Sequence, residues 1–133
     1  MLVKLLDKVD NYLDAIKISC DMLEAEGIVE KRYYDAIVNK IEEFGPYFCI
    51  AEDICMPHAR PEDGAIEEGL CIIKLNEPVD FMGKTVRVFF TLSAKDNESH
   101  LGLMRKIADV CMNKDKFNNL LKIETEEQLM EVF

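Results

Sequence analysis

Gly69-Leu70-Cys71-Ile72-Ile73-Lys74-Leu75 and Val86-Arg87-Val88-Phe89-Phe90-Thr91-Leu92-Ser93-Ala94 are the two longest runs of branched and aromatic side chains in the sequence. Such runs suit the pleated, buried surface of a sheet and read as strands. Between them, Pro78-Val79-Asp80-Phe81 reads as a short edge strand and Met82-Gly83-Lys84 as a turn. Upstream, Tyr47–Ala51 and Ile54–Met56 are shorter apolar pieces of the same kind. On either side the hydrophobic period changes. Over about residues 2–44, Leu5, Val9, Tyr12, Leu13, Ile16 and Cys20 recur at three- and four-residue spacing, and the whole block reads as helical. Gly27 divides it, and Gly45-Pro46 ends it. From about 97 to 133 a helix is expected through Leu101, Met104, Ile107, Ala108 and Cys111, capped by Asp96 or Asn97. Shorter helices follow around Phe117–Leu121 and Thr125–Val132, the last with Thr125-Glu126-Glu127-Gln128 as a capping box. Helices, then strands, then helices give an α/β fold. It has a mixed central sheet of about five strands flanked by helices on both faces, in a single domain spanning 1–133.

Composition narrows the function. The 133 residues carry a formal net charge of −10. Such a chain repels nucleic-acid phosphates and anionic membrane surfaces, but suits docking on a basic protein patch. Cys20, Cys49, Cys55, Cys71 and Cys111 make an odd number, with no C-x-x-C pair. The opening MLVKLLDKVDNYLDAIK places charges every few residues, with no apolar stretch of signal-peptide or membrane length. The expectation is a cytoplasmic protein with free thiols, no metal and no cofactor.

Two histidines occur, His58 and His100. His58 follows a short strand in Ile54-Cys55-Met56-Pro57-His58-Ala59-Arg60-Pro61-Glu62-Asp63-Gly64, between two prolines that restrict the backbone. A stiffened loop at a strand end can aim one side chain at solvent. His100 falls in the expected first turn of the long helix after the last strand, where free N–H groups and the helix dipole attract phosphate. These are the parts of a phosphohistidine site. Neutral imidazole is a nucleophile near neutral pH, and phosphoryl transfer asks mainly for positioning and charge neutralisation. Arg60 could bond phosphate oxygens in a fork. Taken singly, each has an ordinary reading: a surface histidine, a solvated cation. Cys49, Cys55 and Cys71 on strand patterns read as small core residues.

In order, the motifs are more specific. Gly45-Pro46-Tyr47-Phe48-Cys49-Ile50-Ala51 followed by Ile54-Cys55-Met56-Pro57-His58-Ala59-Arg60 resembles the enzyme IIA proteins of the bacterial phosphoenolpyruvate-dependent sugar phosphotransferase system, of the mannitol/fructose-type superfamily. Within it the chain is most similar to the ascorbate-specific branch, which carries a similar M-P-H-A-R-P-E-D-G string. Pro78-Val79-Asp80-Phe81, Leu92-Ser93-Ala94, Asp96, His100-Leu101 and Glu126-Glu127-Gln128-Leu129 extend the likeness over nearly the whole chain. The resemblance implies that His58 is phosphorylated by the carrier HPr and that His100 is the second active-site histidine. It also implies onward transfer to a cysteine of a IIB protein, which serves a IIC membrane channel for ascorbate or a related sugar. One departure stands out. The mannitol branch has a phosphate-supporting arginine on the second helix, where this chain has Glu42 nearby and no arginine between Arg32 and Arg60. Arg60 or His100 is expected to substitute. Two other functions are conceivable: a regulatory interaction domain whose phosphorylation state controls partner binding, and a hydrolase pairing Cys55 with His58 or His100.

Overall fold

Cys71–Lys74 lie inside the sheet, with paired neighbours on both sides, which is why the run is apolar but for Lys74, whose ammonium donates to the Ile123 carbonyl at 2.9 Å. The computed structural model describes residues 1–133. In chain order the elements are β1 (Leu2–Leu6), α1 (Tyr12–Ala25), α2 (Arg32–Phe44), β2 (Cys49–Ala51), β3 (Asp53–Cys55), β4 (Gly69–Phe81), β5 (Lys84–Ser93), α3 (Asn97–Cys111), α4 (Lys114–Leu121) and α5 (Glu126–Val132). The five strands form one mixed sheet in the order β1-β4-β5-β3-β2. β1 runs parallel to β4 and β3 parallel to β5, while β4/β5 and β2/β3 are antiparallel.

Alternation along the strands divides the core. Cys71, Ile73 and Leu75 face α1 and α2, whose Ile16, Leu23, Tyr33 and Ile37 are fully covered. Leu70, Ile72 and Phe90 face the other way, against Leu103 and Ile107 of α3, Leu120 of α4 and Leu129 of α5. Burying a side chain such as Ile72 or Phe90 contributes roughly 1.5–3 kcal/mol.

Three expectations need correction. Residues 2–6 are not helical. They form edge strand β1, with Leu2 opposite Cys71 and Leu6 opposite Leu75. The helix begins only at Tyr12, where Asn11 caps it by accepting from the N–H groups of Leu13 and Asp14 at 2.9 and 3.3 Å. A run as short as Leu2–Leu6 carries too little period to tell strand from helix, and pairing decides. Pro78–Phe81 is likewise no edge strand but the end of β4, paired with β5 through Phe81 and Lys84. The ladder is irregular between Lys74 and Val79, and Pro78, which has no N–H to donate, sits in that break. The Thr125 cap forms with Gln128 N–H at 3.1 Å, but Gln128 reaches back to the N–H of Glu124 rather than that of Thr125.

Candidate active site

β3 and β5 run parallel, so their C-terminal ends lie side by side. The loop leaving β3 carries His58, and the segment leaving β5 opens α3, which carries His100. Far apart in sequence, the two imidazoles thereby meet with ring centroids 4.9 Å apart. Crevices at strand C-terminal ends are where open α/β sheets gather functional groups.

The His58 loop is fastened at each residue. Met56 N–H donates to the Phe48 carbonyl (2.9 Å), and Leu92 N–H donates to the Pro57 carbonyl (3.1 Å). Ala59 N–H donates to the Tyr33 hydroxyl (3.0 Å), which itself donates to the Leu92 carbonyl (2.7 Å). Tyr33 is wholly buried, and burial pushes its phenol pKa upward, so it stays a neutral donor. Its single hydroxyl joins the loop, α2 and β5.

The His58 ring is half-buried, with the edge of Phe48 at 5.1 Å between centroids. Its Nδ1 lies 2.9 Å from the Met56 carbonyl. A carbonyl only accepts, so Nδ1 carries the proton and Nε2 keeps the lone pair. Burial holds the imidazole pKa below its usual 6.5; the Met56 bond opposes this and the neighbouring His100 adds to it. The ring is therefore neutral at physiological pH, as a nitrogen nucleophile must be.

His58 and His100 line a cavity of about 280 Å³ with Lys40, Tyr47, Ala59, Arg60, Pro61 and Asn97. His100 sits in the first turn of α3, which Asp96 caps through the N–H of Ser99 at 2.7 Å. Arg60 is mostly exposed and pairs with two carboxylates of its own loop, Asp63 (Nε–Oδ2 3.2 Å) and Glu62 (3.5 Å). The Arg60 guanidinium lowers the Asp63 pKa. The expected residues thus converge, but Arg60 reaches the cavity with its charge already shared.

Sequence reasoning missed two contributors. Lys40, on the second helix, lines the cavity and lies over the Phe44 ring (5.6 Å to the centroid). A cation does come from α2, but as a lysine, two positions before Glu42. The only signal was the row Ala36, Lys40, Phe44 at four-residue spacing beside the buried stripe Tyr33, Ile37, Ile41. Tyr33 was legible as part of that stripe but not as a support of the loop. Cys55, the conceivable hydrolase nucleophile, is fully buried, with its thiol pKa pushed well up by burial. That thiol is not available to substrate.

The chain has known relatives. Residues 1–133 match the family "Phosphoenolpyruvate-dependent sugar phosphotransferase system, EIIA 2" over their whole length. The chain belongs to that EIIA family. It is 33% identical to the ascorbate-specific PTS system EIIA component of Escherichia coli strain K12, over 98% of this chain and 87% of that protein. The solution structure of the mannitol-specific cryptic phosphotransferase enzyme IIA of Escherichia coli is similar at a TM-score of 0.89 and 28% identity, over 98% of this chain and 90% of that one. The Escherichia coli mannitol IIA in its complex with phosphorylated IIB shares the fold, with a TM-score of 0.81 and 20% identity over 98% and 97% of the two chains. As an EIIA component the protein is a phosphotransferase, the phosphocarrier of a sugar phosphotransferase system. No helix is long and apolar enough to cross a membrane.

Proposed function

We propose that His58 Nε2 accepts a phosphoryl group from the phosphohistidine of HPr and passes it to a cysteine of a IIB protein, in a system transporting ascorbate or a related sugar. One observation carries the assignment: Nδ1 is fixed on the Met56 carbonyl, which leaves Nε2 as the lone-pair nitrogen of a neutral ring beside a polar cavity. In the first step the Nε2–P bond forms as the donor's N–P bond breaks. In the second, the IIB thiolate attacks phosphorus, the S–P bond forms and His58 is returned neutral. Neither step creates a new centre for the protein to build, so catalysis is alignment and charge neutralisation.

His100 donates to a phosphoryl oxygen, and Lys40 and Arg60 supply positive charge. Phosphorylated His58 remains anchored because its Nδ1–H bond does not involve the reacting nitrogen. A protein rather than a sugar as delivering and receiving partner fits the surroundings. Met56 and Leu101 continue the site into an apolar groove of about 470 Å³ with Ile50, Ile54, Met104 and Met112. Exposed apolar area of this kind marks a protein contact. The Escherichia coli mannitol IIA, solved with phosphorylated IIB, offers the precedent for the receiving partner. Ascorbate rests on the name of the Escherichia coli relative. We place the exchange in the cytoplasm, where HPr and IIB act.

The test is incubation with phosphoenolpyruvate, enzyme I and HPr. One acid-labile phosphate should appear on His58 and pass to an ascorbate-type IIB faster than to a mannitol-type IIB. A His58→Ala protein that still takes up phosphate overturns the assignment; equal rates to the two IIB proteins overturn the sugar.

A further inference from the structure

The hairpin beneath His58 holds a second pair of reactive side chains. Cys49 on β2 stands directly opposite Cys55 on β3. The Met56 N–H bond to the Phe48 carbonyl lies just outside this pair. That flanking bond marks Cys49 and Cys55 as a non-hydrogen-bonded antiparallel pair, the kind whose Cα atoms approach to about 4.5 Å. A disulfide spans Cα separations of roughly 4.4–6.8 Å, so the strands need not move apart or together to form one. Both side chains are on one face of the sheet, Cys55 inside the core under α1 and α2 and Cys49 packed against it.

The two sulfurs differ in access. Cys55 is closed to solvent, whereas Cys49 is partly open and borders a cleft of about 330 Å³ with Glu52, Lys84 and Thr85. The neighbouring Cys55 thiol lowers the Cys49 pKa, burial opposes this, and the Lys84 ammonium lowers it further. The remaining cysteines lack such a setting. Burial pushes Cys20, Cys71 and Cys111 up to about 12.

We propose that Cys49 and Cys55 form a reversible disulfide by exchange with a low-molecular-weight disulfide, such as oxidised glutathione, that enters at the Lys84 cleft. The Cys49 thiolate attacks one sulfur of the small disulfide and expels the other as a thiolate. Cys55 gives its proton to that leaving thiolate and attacks Cys49 Sγ. The protein disulfide forms and the second small thiolate departs, taking a proton from water. The protein loses two electrons and two protons, and the small disulfide becomes two thiols. The bridge ties together the neighbours of Phe48 and Met56, which hold the His58 ring from this hairpin, so thiol oxidation and histidine chemistry share one hairpin.

The experiment treats the folded full-length chain with oxidised glutathione, then denatures, alkylates and maps it by mass spectrometry. The expected product is lighter by two hydrogens, carries one peptide linking Cys49 to Cys55, and is alkylated at Cys20, Cys71 and Cys111. Dithiothreitol restores all the thiols. Cys55→Ser should stall with glutathione held on Cys49, and Cys49→Ala, at a partly exposed position, should leave Cys55 unmodified while keeping the native circular dichroism spectrum. A wild-type product that keeps glutathione on Cys49, a bridge to any other cysteine, or a folded chain that consumes no disulfide overturns the proposal.

Discussion

The two imidazoles of the site are neighbours held by opposite means. His58 is fixed from its own loop: Nδ1 is tied to Met56, the flanking backbone to Phe48, Leu92 and Tyr33, and the ring lies against Phe48. His100 is placed only by the helix it rides on, and its side chain makes no hydrogen bond to the protein. One ring has its tautomer and direction set before any ligand arrives. The other is positioned but uncommitted, free to turn a donor toward an incoming anion. The proposed transfer from one protein to another needs the first ring constant and the second adaptable.

Substitutions at the two rings should separate these roles. The largest effect is expected at His58: alanine abolishes phosphate uptake, measured as acid-labile radiolabel after reaction with phospho-HPr. His100→Ala should leave uptake possible but slow it on the order of 10²-fold, as loss of one oriented donor to developing negative charge does. A His100→Ala rate equal to wild type would reduce that ring to a bystander. Tyr33→Phe attacks the frame rather than the ring. It strands the buried Ala59 N–H and Leu92 carbonyl, and should cost about 1–3 kcal/mol in urea unfolding while slowing transfer without altering the site's own groups.

Of the two cations, Lys40→Gln should slow transfer about tenfold, the worth of one charged hydrogen bond. Arg60→Ala should do less, because Asp63 and Glu62 already share its charge. Its ion pairs are exposed and screened by solvent, so they add little to the site. Reversal of that order would return the dominant role to Arg60.

The smallest effect is on acid stability. Folding lowers the His58 pKa, so the unfolded chain binds more protons than the folded one at mildly acidic pH. This residue's contribution is fully present above the unfolded value of about 6.5 and falls as pH drops through it. His58→Gln should lose less stability than wild type between neutral pH and the folded pKa, read from urea midpoints. The imidazole resonances of wild type should show His58 titrating below 6.5.

Much of this was legible in the order of residues. Gly69–Leu75 and Val86–Ala94 announced themselves because strands buried on both faces carry few polar positions, here Lys74, Arg87, Thr91 and Ser93, to blur the pattern. His58 and His100 stood out as reactive side chains at a strand end and a helix start. Leu2–Leu6 misled because a short apolar run before a helix borrows its period, and Asn11 was the overlooked boundary. Lys40 and Tyr33 were hidden for another reason. Their roles depend on where α2 passes beneath the His58 loop, a distance set by packing that no local spacing encodes.

The hairpin turn at Met82-Gly83 joins β4 to β5 at the end of β5 remote from His100. The turn itself therefore lies away from the transfer site, and its length does not set how closely the rings meet. Descendants of this sequence are free to grow or shorten there, and a peptide tag grafted at that bend would travel with the carrier while leaving the transfer site as it is.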